Sequence, residues 1–259
     1  MSFVLITSLA AAGMFAGMLI FSEVGRRAGI RQMAHEGGVL TQGAGAAEAA
    51  VFGLLGLLLA FTFSGAASRF ETRLHLITQE ANAIGTAYLR LDLLAADARP
   101  ELRQLFRDYV DNRASVYSDA DNVAASRAKL TSGAALQQQI WTRSVQASQQ
   151  PGASPQAAIL LLPAVNEMFD ITTTRAAATQ NHPPMIVFLL LAVLGFIGAL
   201  LVGYSTSLNT QRGWLHTLIF ATFLSLTAYV IVDLEFPRLG FIRVDAADQL
   251  LLELRETMR

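Results

Sequence analysis

The chain has 259 residues, of which 53% are apolar and 15% charged, with a mean hydropathy of +0.42 and a net charge of −1. Soluble chains carry roughly 25% charged residues, so this composition excludes an ordinary soluble enzyme. The absence of cysteine removes disulfides, thiolate nucleophiles and Cys-based metal sites. The near-zero net charge gives no bulk attraction for nucleic acid.

The apolar residues come in blocks. Phe3–Phe21, Ala49–Ser68, Met185–Tyr204 and Gly213–Val232 contain no Asp, Glu, Lys or Arg. A hydrocarbon layer of about 30 Å needs roughly 20 helical residues to cross it. The sequence therefore predicts four transmembrane helices. Nothing basic precedes Phe3, and apolar sequence continues past Ala10, Ala11 and Ala12. That pattern differs from a cleaved signal peptide and predicts a retained membrane helix.

The spans form two pairs: residues 1–68 hold the first two, and residues 184–233 the last two. Residues 22–48 read as a loop bearing Arg26, Arg27 and Arg31. Between the pairs lies a polar segment, 69–183, with 11 basic and 11 acidic side chains. It reads as helical. Phe70, Leu74, Ile77, Ala81, Ile84, Tyr88 and Leu91 alternate at spacings of four and three, a seam of period 3.5 as in a coiled coil. No proline interrupts residues 48–94, which predicts one continuous helix running out of the second span. Pro100 opens the next helix. A third is expected from about Asn122 to Ser148, with Leu136, Ile140, Trp141 and Val145 inward. Ser154 and Pro155 are expected to cap and start a fourth, which Pro163 kinks or begins. The tail, 234–259, carries a short surface helix with Leu250, Leu251 and Leu254 on one side. The fold class is all-α, a polytopic membrane protein with four transmembrane helices and a helical extramembrane bundle.

Arginines near the span ends count four against four. The first span has none before it and three after it, which favours an outside N-terminus and an outside middle domain.

Small residues recur at helical spacing inside the spans: Gly13 and Gly17; Gly56, Ala60 and Ser64; Gly195, Ala199 and Gly203. Such stripes let helix backbones approach closely, within one subunit or between subunits. The fourth span carries Thr217, Ala221, Ser225, Tyr229 and Asp233 four apart, with Glu235 and Arg238 following. This end reads as an interfacial ion pair or as a cation site at a pore mouth. Arg69 and Arg73 are like charges at i,i+4, which repel. They read as side chains reaching for lipid headgroups or, in a ring of subunits, as a basic collar that attracts anions. Phe61 and Phe63 precede them and could gate a narrow pore by dewetting. Asn166, Glu167, Asp170, Thr172, Thr173, Thr174 and Arg175 read as a buried polar network joining helices. No catalytic constellation is recognisable, the four histidines show no metal spacing, and neither a cofactor nor a metal is expected.

The runs Val51–Phe61, Glu80–Tyr88 and Asp170–Arg175, with His182-Pro183-Pro184 and Asp233–Arg238, resemble the bacterial bestrophin-like membrane proteins. That resemblance spans nearly the whole chain. It implies a remote kinship with bestrophins, which are pentameric anion channels with a cytoplasmic middle domain, and a second span lining an axial pore. The expected pore-facing residues are Gly56, Ala60, Phe61, Ser64, Arg69 and Arg73. Glu80, Asn82, Asn166, Asp170, Arg175, Asp233, Glu235 and Arg238 form the expected polar network. The expected protein is a homo-oligomer of a bacterial inner (plasma) membrane that conducts inorganic ions, anions first. The alternative is a membrane-anchored sensor or scaffold whose middle domain binds a partner.

Overall fold

A computed structural model describes residues 3–36, 44–116, 123–207 and 214–258. The described residues are helical, with α1 Phe3–Glu36, α2 Ala44–Arg90, α3 Arg99–Val116, α4 Val123–Ser148, α5 Ala157–Gln180, α6 Met185–Thr206, α7 Trp214–Glu235 and α8 Asp245–Thr257. A 3-10 turn, Leu91–Leu93, follows α2. Four helical segments are long and apolar enough to cross a membrane. The chain divides into two compact units, one of residues 1–68 and 182–236 and one of residues 69–181 and 237–259.

The first unit holds α1, α6, α7 and the first half of α2. Here α1 packs on both α6 and α7. Its core is small: Met18, Leu55, Leu191, Leu194, Ala199, Ala221 and Leu224 are buried together. Phe52 of α2 meets Phe220 of α7 edge-on, with centroids 5.8 Å apart. The closest approaches are between backbones. A methyl group at Gly25 would lie 1.9 Å from the Leu200 carbonyl oxygen, and one at Gly203 would lie 1.8 Å from the Ser22 carbonyl oxygen. The Gly195–Gly203 stripe therefore packs within the subunit, as small-residue faces do in membranes. Gly195 meets Leu224 and Met14, and Gly203 meets the Ser22 backbone, whereas Gly13 has open space beside it.

The first helix is longer than its apolar block. Residues 22–36, expected as loop, continue α1. Intrahelical ion pairs stabilise that extension: Arg26 and Arg27 both reach Glu23, at 2.9 Å and 2.8 Å, from positions i+3 and i+4. The close seat of Gly25 and Gly29 on α6 fixes it further.

The second unit has the opposite anatomy. Ala83, Ile84, Ala87 and Leu91 from α2 and the turn after it pack with Leu102, Phe106, Tyr109 and Val110 of α3. Ile140 of α4, Leu161, Val165 and Met168 of α5, and Leu251 of α8 complete the same core. The continuous helix expected across residues 48–94 is present as α2 and the 3-10 turn. Its buried side is Arg73, Leu76, Ile77, Glu80, Ala83, Ile84, Ala87 and Leu91. The apolar seam is therefore met at Ile77, Ile84 and Leu91, but its centre includes two charged residues. Trp141 is a correction: it stands on the outer side of α4, 36% exposed, whereas Ile140, Ser144 and Ala147 face inward. Ser154 also differs from expectation. The N-cap of α5 is Gln156, with no side-chain capping bond. The Ser154 hydroxyl instead holds the preceding turn, accepting from the Gln156 amide at 3.4 Å. Pro163 lies inside α5 rather than at its start. Arg90 donates to the Leu160 carbonyl at 2.6 Å, in the turn before that proline.

Candidate functional site

The outer side of α2 is the first feature with functional content. Gly53, Gly56, Leu57, Ala60, Phe61 and Ser64 are all exposed, at helical spacing along one side. Further along, Glu71, Thr72, His75, Gln79, Asn82 and Thr86 are exposed in the same manner. One side of a 47-residue helix is thus left uncovered by the chain's other described helices. Its first half is small or apolar, and its second half is polar as far as Thr86, with Leu89 exposed beyond it. No atom lies within 4 Å of where a Gly53 or Gly56 side chain would start. The Phe61 ring is 68% exposed and is the bulkiest group in this row. His75 and Gln79 bond one another at 2.9 Å.

Of the six residues expected to face a pore, Gly56, Ala60, Phe61 and Ser64 share this uncovered side, and Arg69 is half-buried next to it. Arg73 is placed differently. It is 7% exposed and turned inward, donating to the carbonyls of Ala178 at 3.2 Å and Asn181 at 3.0 Å. These oxygens belong to the C-terminal end of α5, where carbonyls lack helical partners and the helix dipole is negative. A cation there is stabilised by the backbone itself, so the repulsion expected between Arg69 and Arg73 is offset without a lipid or a passing ion.

The second feature is a buried charge network inside the second unit. Glu80 is fully buried and accepts from Arg113 Nε at 2.5 Å and from Arg175 Nη1. Arg175 also reaches Asp248 at 2.7 Å, and Asp248 in turn accepts from Arg238 at 2.6 Å. One chain of ionic bonds therefore ties α2, α3, α5 and α8 to the segment before α8. Burial pushes Glu80 toward the neutral acid. The charges and hydrogen bonds of Arg113 and Arg175 outweigh it and hold the carboxyl below the usual range. Beside this chain, Tyr109 Oη lies 2.9 Å from the Thr172 hydroxyl and accepts from Gln137 at 3.1 Å.

Among the residues expected in a polar network, Glu80, Arg175 and Arg238 belong to this one. Asn166 and Asp170 are a correction. They are exposed and bond one another along α5 at 3.0 Å, so they do not join helices. Asn82 is exposed on the outer side of α2. Asp233 and Glu235 are buried at the end of α7, in the other unit, with Glu235 3.3 Å from His182 Nδ1. The His182 ring stacks on Phe236 at 4.5 Å. The residue pattern placed Arg113 on the inner face of its helix but left it, and Asp248, out of the expected network. The signal for Arg113 was present: it shares the inner face of α3 with Phe106 and Tyr109, where a bare arginine demands an acid. Among the described residues no cluster of three or more His, Asp or Glu side chains could hold a metal.

Apolar spanning helices joined to a water-type helical bundle by one continuous helix define an all-α membrane protein. A Bestrophin-like domain model matches residues 12–248, and the chain belongs to that family. A crystal structure of a bacterial bestrophin homologue from Klebsiella pneumoniae, with one tyrosine replaced by alanine, shares the fold with a TM-score of 0.69. The match covers 94% of this chain and 98% of that one at 12% identity. No curated protein matches the sequence.

Proposed function

We propose that the protein is a homo-oligomeric ion channel of a bacterial inner membrane, with anions as its substrate and α2 lining the pathway. The observation that carries this reading is the uncovered side of α2, small at Gly56, Ala60 and Ser64 and polar from Glu71 to Thr86. A membrane helix leaves small residues uncovered at little cost when they face copies of itself across a pore. In a ring of subunits, Phe61 narrows the passage and Arg69 raises the local anion concentration. Arg73 acts one step back, holding the end of α5 behind the pathway. Membership of the Bestrophin-like family supports a channel over an enzyme.

Reconstitution into liposomes with a chloride-flux readout tests the proposal. Flux should rise for Phe61→Ala and fall for Arg69→Glu. No conductance, or conductance indifferent to both substitutions, would overturn it.

A second reading has its own observation. Leu89 and Ile159 in the second unit are large aliphatic side chains that stand 71% and 74% exposed. They suit a scaffold that docks a partner. Under that reading, Leu89→Glu abolishes partner capture by the full-length protein, and no flux is seen.

A further inference from the structure

The first unit contains a half-open cleft of about 320 Å³ between α1, α6 and α7, lined by twelve residues. All twelve fall within the charge-free apolar blocks of the sequence. Four alanines, Ala10, Ala11, Ala192 and Ala228, create the space. Larger side chains at those positions would close it. Hydroxyls enter only from Thr7 and Tyr229, and Thr7 bonds the carbonyls of Phe3 and Val4 at 3.0 Å and 3.2 Å.

Water does not suit this space, because a buried water needs two to four polar partners. The space is half open to the medium around the helices, so that medium can enter it. An apolar cavity of about half this volume already takes up benzene or xenon, and sites for small molecules begin near about 300 Å³. The medium in contact with these helix segments is hydrocarbon. The most abundant apolar group able to enter is therefore the tail of a membrane lipid.

We infer that this cavity is a binding site for a phospholipid acyl chain, which fills the space that α1, α6 and α7 leave between them. The chain lies against the alanines, and Phe188 closes one wall. Nothing in this inference depends on ion conduction, so it stands or falls separately from the channel.

The test uses the full-length protein in nanodiscs of phosphatidylethanolamine and phosphatidylglycerol, doped with a phospholipid bearing a diazirine on its acyl chain. After illumination, label is assigned to individual residues by fragmenting the labelled peptides in the mass spectrometer. Label should concentrate on the lining residues Thr7, Ala11, Phe188 and Ala228, above the level at the exposed Leu5, Leu9 and Phe223. Ala192→Phe fills the space and should lower cavity labelling roughly tenfold, equivalent to about 1.4 kcal/mol of binding. Labelling at Phe223 should stay unchanged. Ala10→Phe, at the exposed rim, should do the same with less demand on packing, and covers the case in which Ala192→Phe fails to fold. Uniform labelling, or labelling unchanged in both variants, overturns the site. So does a cavity that stays unlabelled in an oligomer and takes label only in the monomer, the outcome expected if a second copy of the chain covers it.

Discussion

The two units solve the packing problem in opposite ways. In the first, large side chains such as Leu9, Leu57, Ile186, Leu190 and Phe223 point outward, and contact is made by Gly25, Ala199 and Gly203. In the second, Ile84, Phe106, Tyr109 and Met168 are fully buried, while charge is outside, locked into the Glu80 network or, at Arg73, held by the carbonyls that end α5. The difference follows from the solvent. In water, sequestering a large apolar group is favourable by roughly 1.5–3 kcal/mol. In hydrocarbon that gain vanishes, so helices associate through close backbone approach instead. One chain therefore carries both logics, and α2 passes from one to the other near Ser68.

The sharpest way to break the contrast is to remove the ion that the second unit can least spare. Glu80→Ala leaves Arg113 and Arg175 buried without their shared acid and should cost about 3–5 kcal/mol. Thermal unfolding in detergent should show collapse of the folded fraction, whereas Asn82→Ala, exposed two residues on, should not. Acid should reproduce the effect. The Glu80 carboxyl is held below its unfolded value. Its contribution is then fully present above the ordinary carboxylate value of about 4.3, and is lost as pH falls through the lower folded value. A midpoint of unfolding that is flat from neutral to strongly acid pH would contradict this.

The first unit should fail through volume rather than charge. Gly25→Ala or Gly203→Ala places a methyl less than 2 Å from a backbone carbonyl oxygen. Helices α1 and α6 must then separate, at a cost of about 1–3 kcal/mol. Gly13→Ala is the internal control. Nothing lies within 4 Å of that position, and alanine improves helix propensity by up to about 1 kcal/mol, so stability should hold or rise. The smallest effect belongs to the surface of the second unit. Arg255 pairs with Asp111 at 2.9 Å, with both side chains partly exposed. Asp111→Asn should cost no more than about 1 kcal/mol, and less in high salt.

These contrasts also explain what could be read from residues alone. The spans were legible because about twenty uncharged apolar residues have few other structures open to them. The α2 rod was legible because nothing between residues 48 and 94 breaks a helix. The interior of the second unit was harder. Arg73 and Glu80 occupy the centre of its seam, and a search for apolar spacing slides past charged residues to their neighbours Leu74 and Ala81. Their partners lie far along the chain, Arg175 being 95 residues from Glu80, and no local pattern announces such a match. The extension of α1 was hidden for a related reason. Gly25 and Gly29 look like loop residues until Leu200 and Ser207 are set beside them. Among the candidate pore residues, the small ones were legible as a stripe. The inward turn of Arg73 was not, because it depends on where α5 ends.

The Glu80 chain of bonds also constrains the order of events on the ribosome. Arg175 is made 73 residues before Asp248, its second carboxylate. At about 5–20 residues per second, translation takes roughly 4–15 s to supply that residue. During the interval Arg175 has Glu80 from the existing helices but not the aspartate that links it to Arg238. The nascent bundle must wait for its last helix before its ionic lock can close, so a pause in elongation within this stretch should prolong protease sensitivity of the α3–α5 region.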